Sequence, residues 1–418
     1  FFLFAWYPAL LVLDGLVRRK RGRSLLVDRP LAFLSLLCWS LPFWLLFEAL
    51  NLRVENWYYV NTPPDPVLSR LFLAFSFATV LPGLIELFDL FGAHGLFAAT
   101  RSRPFRTSGS HRRNMVAAGA LMLLLPLVWP DFFFPLIWGF LVLLLEPFNR
   151  RAGWPSLLRD LEKGRPGRLL RLLSAGLVCG LYWELMNMPA RAHWIYTVPF
   201  FERTFGVEMP PLGFLGFAPF ALEAYASLRA LEILGLSVPF EPPPGTAASR
   251  MHRVARAIPA PVRLLALPGL IALGCLATIF ALERRTVDST IASVERLESA
   301  NLREAAILAI SGLSDLRDLL LAGEEEGGVE RLAGLLVTPR ARVERILEEA
   351  RLIELSGLGA ANARLLGRLG IKSVADLARQ ESGSLLQRLN RIAPSGKLLL
   401  ERRIKVWIRA AREQVGSG

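Results

Sequence analysis

Carboxylates set in apolar sequence, twice over and at a constant interval, constrain this chain more than any other feature. Phe47-Glu48-Ala49-Leu50-Asn51 is followed by Trp57-Tyr58-Tyr59 and then by Pro82-Gly83-Leu84-Ile85-Glu86. Trp183-Glu184-Leu185-Met186-Asn187 is followed by Trp194-Ile195-Tyr196 and then by Pro219-Phe220-Ala221-Leu222-Glu223. The interval is 136 residues at the first Glu and 137 at both the Trp and the last Glu. A carboxylate in such surroundings is expensive and needs a partner or a function. The pattern predicts a duplicated membrane unit with a polar interior.

Apolar runs at 1–17, 31–52, 71–92, 115–130, 132–148, 171–188, 213–234 and 264–282 supply the spans. The runs at 115–130 and 132–148 meet at Trp129-Pro130-Asp131, and read either as two spans or as a re-entrant pair. A chain that is 53% hydrophobic, with mean hydropathy +0.39, cannot hide these runs in a soluble core. The net charge of +13 is therefore first a statement about topology. Basic loops follow alternate runs: Arg18, Arg19, Lys20, Arg21 and Arg23; then Arg101, Arg103, Arg106, Arg112 and Arg113. The next holds Arg150, Arg151, Arg159, Lys163, Arg165 and Arg168, and the last Arg250, Arg253, Arg256 and Arg263. All belong on the cytoplasmic side, while 53–70 and 189–212, poor in Lys and Arg, suit the opposite interface.

Cys38, Cys179 and Cys275 fall in apolar runs and the four histidines are scattered, so neither a disulfide framework nor a metal site is expected. Numbering starts at Phe1 inside an apolar run, and the true start is expected upstream. The duplication reaches beyond the motif. Asp14 with Arg18-Arg19 and Ser24-Leu25-Leu26 is echoed by Glu146 with Arg150-Arg151 and Ser156-Leu157-Leu158. The fold expected is all-α and polytopic, about eight transmembrane helices as two parallel four-helix repeats, then a soluble helical tail. The divisions are repeat 1 at 1–130, repeat 2 at 131–283, a helical stalk at 286–350 and a compact module at 351–418.

Glu48, Glu86, Glu184 and Glu223 are the candidate catalytic groups. Glu48 and Asn51, like Glu184 and Asn187, stand three apart on one helix face. Asn51 and Asn187 would orient the carboxyls, and Trp57, Tyr59, Trp194 and Tyr196 would close the outer rim as ligand-binding residues. Three readings compete. The groups can bond across helices and the aromatics anchor the interface. A carboxyl kept protonated by an apolar setting can serve as a general acid. Paired carboxyls can also pass protons or ions.

An acidic helix end, a W-x-Y and a Pro-to-Glu segment, twice over, resemble the lycopene cyclase domain of bacterial heterodimeric and fungal carotenoid cyclases. The resemblance covers roughly 1–97 and 132–235. It implies a carotenoid or other polyisoprenoid substrate, with membrane carboxyls protonating a double bond. The family's P-x-E-E or P-x-E-D reads here as P-x-x-x-E in both copies, without the adjacent second acid. A relative that binds an isoprenoid, pigment or quinone without cyclising it fits the residues equally well.

Leu355-Ser356-Gly357-Leu358-Gly359 followed by Gly370-Ile371-Lys372-Ser373-Val374-Ala375-Asp376-Leu377 resembles a helix-hairpin-helix module, with Ser373 as an N-cap. Residues 340–418 hold 16 Lys and Arg against 8 Asp and Glu. Gly357, Gly359, Arg402, Arg403 and Lys405 form the expected docking surface, for a protein partner or lipid. DNA is the weaker reading, because basic cytoplasmic loops and eight spans put everything after Leu282 on the outer side.

The function expected is binding or conversion of a hydrophobic isoprenoid-type ligand in a bacterial-type inner membrane. If catalytic, it is a cofactor-independent acid/base cyclase or isomerase. No cofactor is expected beyond a bound carotenoid, quinone or other lipid. Partners are membrane lipids, a hydrophobic small molecule and proteins met through the tail. The alternative is a non-catalytic subunit of a larger membrane assembly, and ion or proton transport is third.

Overall fold

The computed structural model describes residues 2–200, 209–241, 259–393 and 399–416; Arg250, Arg253, Arg256 and Lys397 lie outside them. Of the described residues 73% are helical. It divides into two units: Phe1–Asn56, Arg70–Ala190 and Val198–Leu282 in one; Trp57–Ser69, Arg191–Thr197 and Glu283–Gly418 in the other.

The helices wholly or mainly of the first unit are α1 (Phe2–Arg21), α2 (Leu25–Asp28), α3 (Pro30–Val54), α4 (Pro66–Phe77), α5 (Val80–Ala93) and α6 (Gly109–Val128). There follow α7 (Pro130–Phe133), α8 (Phe140–Ala152), α9 (Leu157–Glu162), α10 (Gly167–Asn187), α11 (Phe217–Ile233) and α12 (Leu267–Arg285). Five stretches are long and apolar enough to cross a membrane: Pro30–Val54, Pro66–Ala93, Pro130–Ala152, Gly167–Asn187 and Val262–Arg285. The other three expected spans correspond to α1, α6 and α11. α1 carries Asp14 and ends in Arg18, Arg19, Lys20 and Arg21; α6 opens with His111-Arg112-Arg113; α11 is 17 residues long. The runs meeting at Trp129-Pro130-Asp131 become α6 and α8, separated by α7 and a 3-10 turn at Phe134–Ile137.

The duplication survives as packing. α5 packs on α1 and α3, and its counterpart α11 packs on α8 and α10; α5 also packs on α10, joining the copies. Gly176 and Gly180 bring α10 so near α11 that a Cβ at either would overlap Phe217, the close approach that small residues permit between apolar helices. Among these helices lies an aromatic cluster. Phe220 of α11 meets Phe43, Trp44 and Phe47 of α3, Trp138, and Trp183 of α10, at ring-centroid distances of 5.2–6.0 Å.

The second unit begins with two four-residue strands, β1 (Trp57–Val60) and β2 (His193–Tyr196), paired antiparallel with Trp57 opposite Tyr196 and Tyr59 opposite Trp194. The segment after α12 adds to the free edge of β1. Tyr59 N donates to Thr286 O (2.7 Å), Asp288 N to Tyr59 O (2.9 Å), Thr62 N to Ser289 O (3.1 Å) and Ile291 N to Thr62 O (2.9 Å).

The rest is helical: α13 (Leu302–Ile310), α14 (Leu316–Glu324), α15 (Gly328–Leu336), α16 (Arg340–Glu354), α17 (Gly359–Arg368), α18 (Val374–Ala378), α19 (Ser382–Ile392) and α20 (Glu401–Gly416). Residues 286–350 were expected as a stalk. They instead share one buried core with the module, from Ala292 and Val294 through Leu347 and Leu366 to Trp407 and Ala411. Helices of nine residues or so cannot stand alone in water and are held by such a shared core.

Candidate functional site

Glu86 and Glu223 occupy the second turns of α5 and α11, and both are fully buried. Their surroundings differ. α8 starts at Phe140 behind Gly139, whose φ of +136° only glycine adopts comfortably and whose lack of a side chain leaves the helix uncapped. Glu223 supplies the cap from α11: its Oε1 accepts from the Leu141 amide at 3.0 Å. A carboxylate on orphan amides at a helix N-terminus is favourable on both hydrogen-bond and dipole grounds. α1, the counterpart of α8, runs unbroken from Phe2 to Arg21 and offers no such terminus. Neither oxygen of Glu86 accepts from an N–H or O–H donor among the described residues, and the Asp14 carboxyl of α1 lies within side-chain hydrogen-bonding reach of it. The charged groups that act on Glu86 are Asp14 and Asp89, both acidic. Gly83, one turn earlier, lies against Trp6 of α1, where a Cβ would stand 2.7 Å from the indole.

Asp14 and Glu146 perform one local task in the two copies. Asp14 Oδ1 accepts from the Leu26 amide at 2.8 Å, and Glu146 Oε2 accepts from the Leu158 amide at 2.9 Å and from Ser156 Oγ at 2.7 Å. Each carboxylate thus fastens the short helix that follows its own.

Glu48 and Glu184 are fully buried at the far ends of α3 and α10. Trp44 Nε1 donates to Glu48 Oε1 at 2.9 Å, which ties this carboxyl to the aromatic cluster. Asn51 closes α3: its Oδ1 accepts from the Asn56 amide at 2.9 Å, and its backbone oxygen from Glu55, whose φ of +54° turns the chain out of the helix. Asn187 holds the end of α10, its carbonyl accepting from the Ala190 amide at 3.2 Å.

Trp57, Tyr59, Trp194 and Tyr196, expected as a rim, form one face of the β1–β2 ladder. From the other face Tyr58, Val60 and Ile195 pack with Val406 of α20. The expected docking residues meet segments of their own chain. A Cβ at Gly357 (φ +76°) would stand 2.0 Å from Val60 Cγ1, and one at Gly359 (φ +72°) 2.6 Å from Ser289 Cβ. Arg403 pairs with Asp288, donates to Arg285 O at 2.6 Å and lies over the Tyr58 ring at 5.0 Å. Arg402 is half-buried and Lys405 exposed. Arg191 adds a bidentate pair with Asp315 and reaches Glu354 at 3.6 Å. Burial works against the Asp315 carboxyl, yet Arg191 and the Arg317 and Asp318 amides outweigh it and hold it below the usual range.

Sequence reasoning missed two features. Arg229 is fully buried, pairs with Glu232 (2.7 Å) and Glu241 (2.9 Å), and lies over the Phe240 ring at 3.9 Å. The other is a second helix-opening motif. Gly312-Leu313-Ser314-Asp315-Leu316-Arg317-Asp318-Leu319 parallels Gly370-Ile371-Lys372-Ser373-Val374-Ala375-Asp376-Leu377, with N-caps at Asp315 and Ser373. Aligning the tail with itself would have found it. Among the described residues no group of three or more His, Cys, Asp or Glu could hold a metal ion.

Residues 298–414 match a family described as a domain of unknown function, DUF4332. No curated protein and no solved structure matches the chain.

Proposed function

We propose that this is an eight-span protein of a bacterial-type inner membrane that binds an isoprenoid-type lipid, a carotenoid, quinone or relative, at Glu86. The observation that carries the reading is the contrast between two equivalent carboxyls. Glu223 caps α8 through Oε1, its Oε2 unpartnered among the described residues, whereas neither oxygen of Glu86 meets an N–H or O–H donor there and its near neighbour is the Asp14 carboxyl. Buried polar atoms are almost always satisfied, and one that is not needs an explanation. A ligand whose hydroxyl or carbonyl meets Glu86, its chain lying along apolar helices, supplies one. The resemblance to the cyclase domain points to the same ligand class. The reading assigns binding, with no bond made or broken.

Asp14 and Asp89, both acidic and both acting on Glu86, favour proton passage as the second reading.

The test is extraction of lipid from purified protein, followed by mass spectrometry. Wild type should carry a stoichiometric isoprenoid, lost in Glu86→Gln and kept in Glu223→Gln. An extract holding bulk phospholipid alone rules the reading out, and proton uptake into liposomes that vanishes in Glu86→Gln would replace it with the second.

A further inference from the structure

Two arginines converge at the basic end of α5. A Cβ at Gly92 would stand 2.5 Å from Arg171 Nη1 of α10 and 2.5 Å from Arg21 Nη2 of α1, so these nitrogens are no farther apart than twice that distance. Arg21 has a counter-ion, Asp89, 3.3 Å from its Nη1. Arg171 has none: among the described residues it makes no hydrogen bond or ion pair, and its Nε is buried without a partner. Its guanidinium lies over the Phe88 ring at 4.9 Å. The charges acting on it are Arg168 and Arg21, of like sign, and Glu241 and Asp89. Glu241 is engaged by Arg168 (3.0 Å) and Arg229 (2.9 Å), and Asp89 by Arg21.

A half-buried guanidinium without an acceptor, beside a second of the same charge, is unfavourable unless an anion joins them. Planar N–H forks match the oxygens of a tetrahedral phosphate. The glycine keeps the space between them open, and the basic loops mark the side where anionic headgroups gather. We propose that Arg21 and Arg171 form a site for a phosphate group, whether a phospholipid headgroup or a free phosphate or diphosphate. The site does not depend on the Glu86 reading.

The test uses the full chain in detergent with inorganic diphosphate, and in vesicles of phosphatidylcholine alone or with one fifth phosphatidylglycerol. Binding is read as a shift in melting temperature and, in detergent, by calorimetry. Arg171→Gln removes the unpaired donor; Gly92→Ala keeps every charge but pushes both guanidiniums apart. Arg18→Gln, an exposed residue paired with Asp28, is the control for lost charge. Losing a charge-assisted contact should weaken binding roughly tenfold or more in Arg171→Gln and Gly92→Ala, and leave Arg18→Gln like wild type. Response to diphosphate identifies a soluble phosphate; response to phosphatidylglycerol alone identifies a headgroup. No response to either probe, or equal responses from all three variants and wild type, overturns the proposal.

Discussion

Gly357→Ala tests how the tail is seated on β1. The residue has φ +76°, and a Cβ there would lie 2.0 Å from Val60 Cγ1 and 2.8 Å from Val60 Cβ. A non-glycine residue in the left-handed region costs about 1–2 kcal/mol, and forcing a methyl into a filled contact about 1–3 kcal/mol. The single variant should therefore lose about 3 kcal/mol of local stability. Val60→Ala alone removes two fully buried methyl-sized groups, worth about 2 kcal/mol. In the double variant the new methyl occupies the space the valine vacated, and only the backbone strain and lost burial remain. The two losses should fall short of additivity by about 1–2 kcal/mol. The assay is hydrogen–deuterium exchange of the peptide carrying Asp288 and Ile291, whose amides donate to Tyr59 O and Thr62 O. Exchange should quicken on the order of 100-fold in Gly357→Ala. In the double variant it should fall about tenfold short of the product of the two single effects. Fully multiplicative effects would refute the contact, as would a Gly357→Ala peptide that exchanges like wild type.

Other outcomes follow from the same geometry. Glu223→Leu should destabilise the protein by about 1 kcal/mol through loss of the α8 cap. Glu86→Leu in delipidated protein should be neutral or stabilising, since it removes a buried carboxyl that meets no N–H or O–H donor among the described residues and lies beside Asp14; thermal melts of the pair distinguish the two. Arg229→Met should cost about 3–5 kcal/mol by leaving Glu232 buried without its partner, seen as a lowered melting temperature. Arg342 and the Asn301 amide hold the Glu304 carboxyl below its usual range, as Arg191 holds Asp315. Both groups bind protons more weakly folded than unfolded. Their contribution is present above pH of about 4 and lost as pH falls through the folded values. Arg191→Gln should flatten the acid limb of a near-UV circular dichroism titration; an unchanged limb would count against the pairing.

The duplication was legible because it rests on side chains that repeat a local task. Asp14 with Leu26 and Glu146 with Leu158 stand twelve residues apart in both copies and make the same hydrogen bond. Apolar runs likewise announced the long helices. What escaped was long-range. Trp57 and Tyr196 pair across 139 residues in strands of four, too short for alternation to show. The edge of β1 is filled by Thr286 and Ser289, polar residues whose backbone does the bonding. The shared core of 292–411 is assembled from short helices, none of which reveals its partner. The divergence of Glu86 from Glu223 was also hidden, because it depends on where α8 begins: Gly139 opens a helix that in the first copy runs on.

Reaction with dicyclohexylcarbodiimide, an apolar reagent that reaches carboxyls inside membranes, tests that divergence most directly. Peptide mapping of the purified, delipidated protein should find the adduct on Glu86 and not on Glu223, and added ligand extract should protect Glu86. Equal modification of the two residues, or modification of Glu223 alone, would contradict the account.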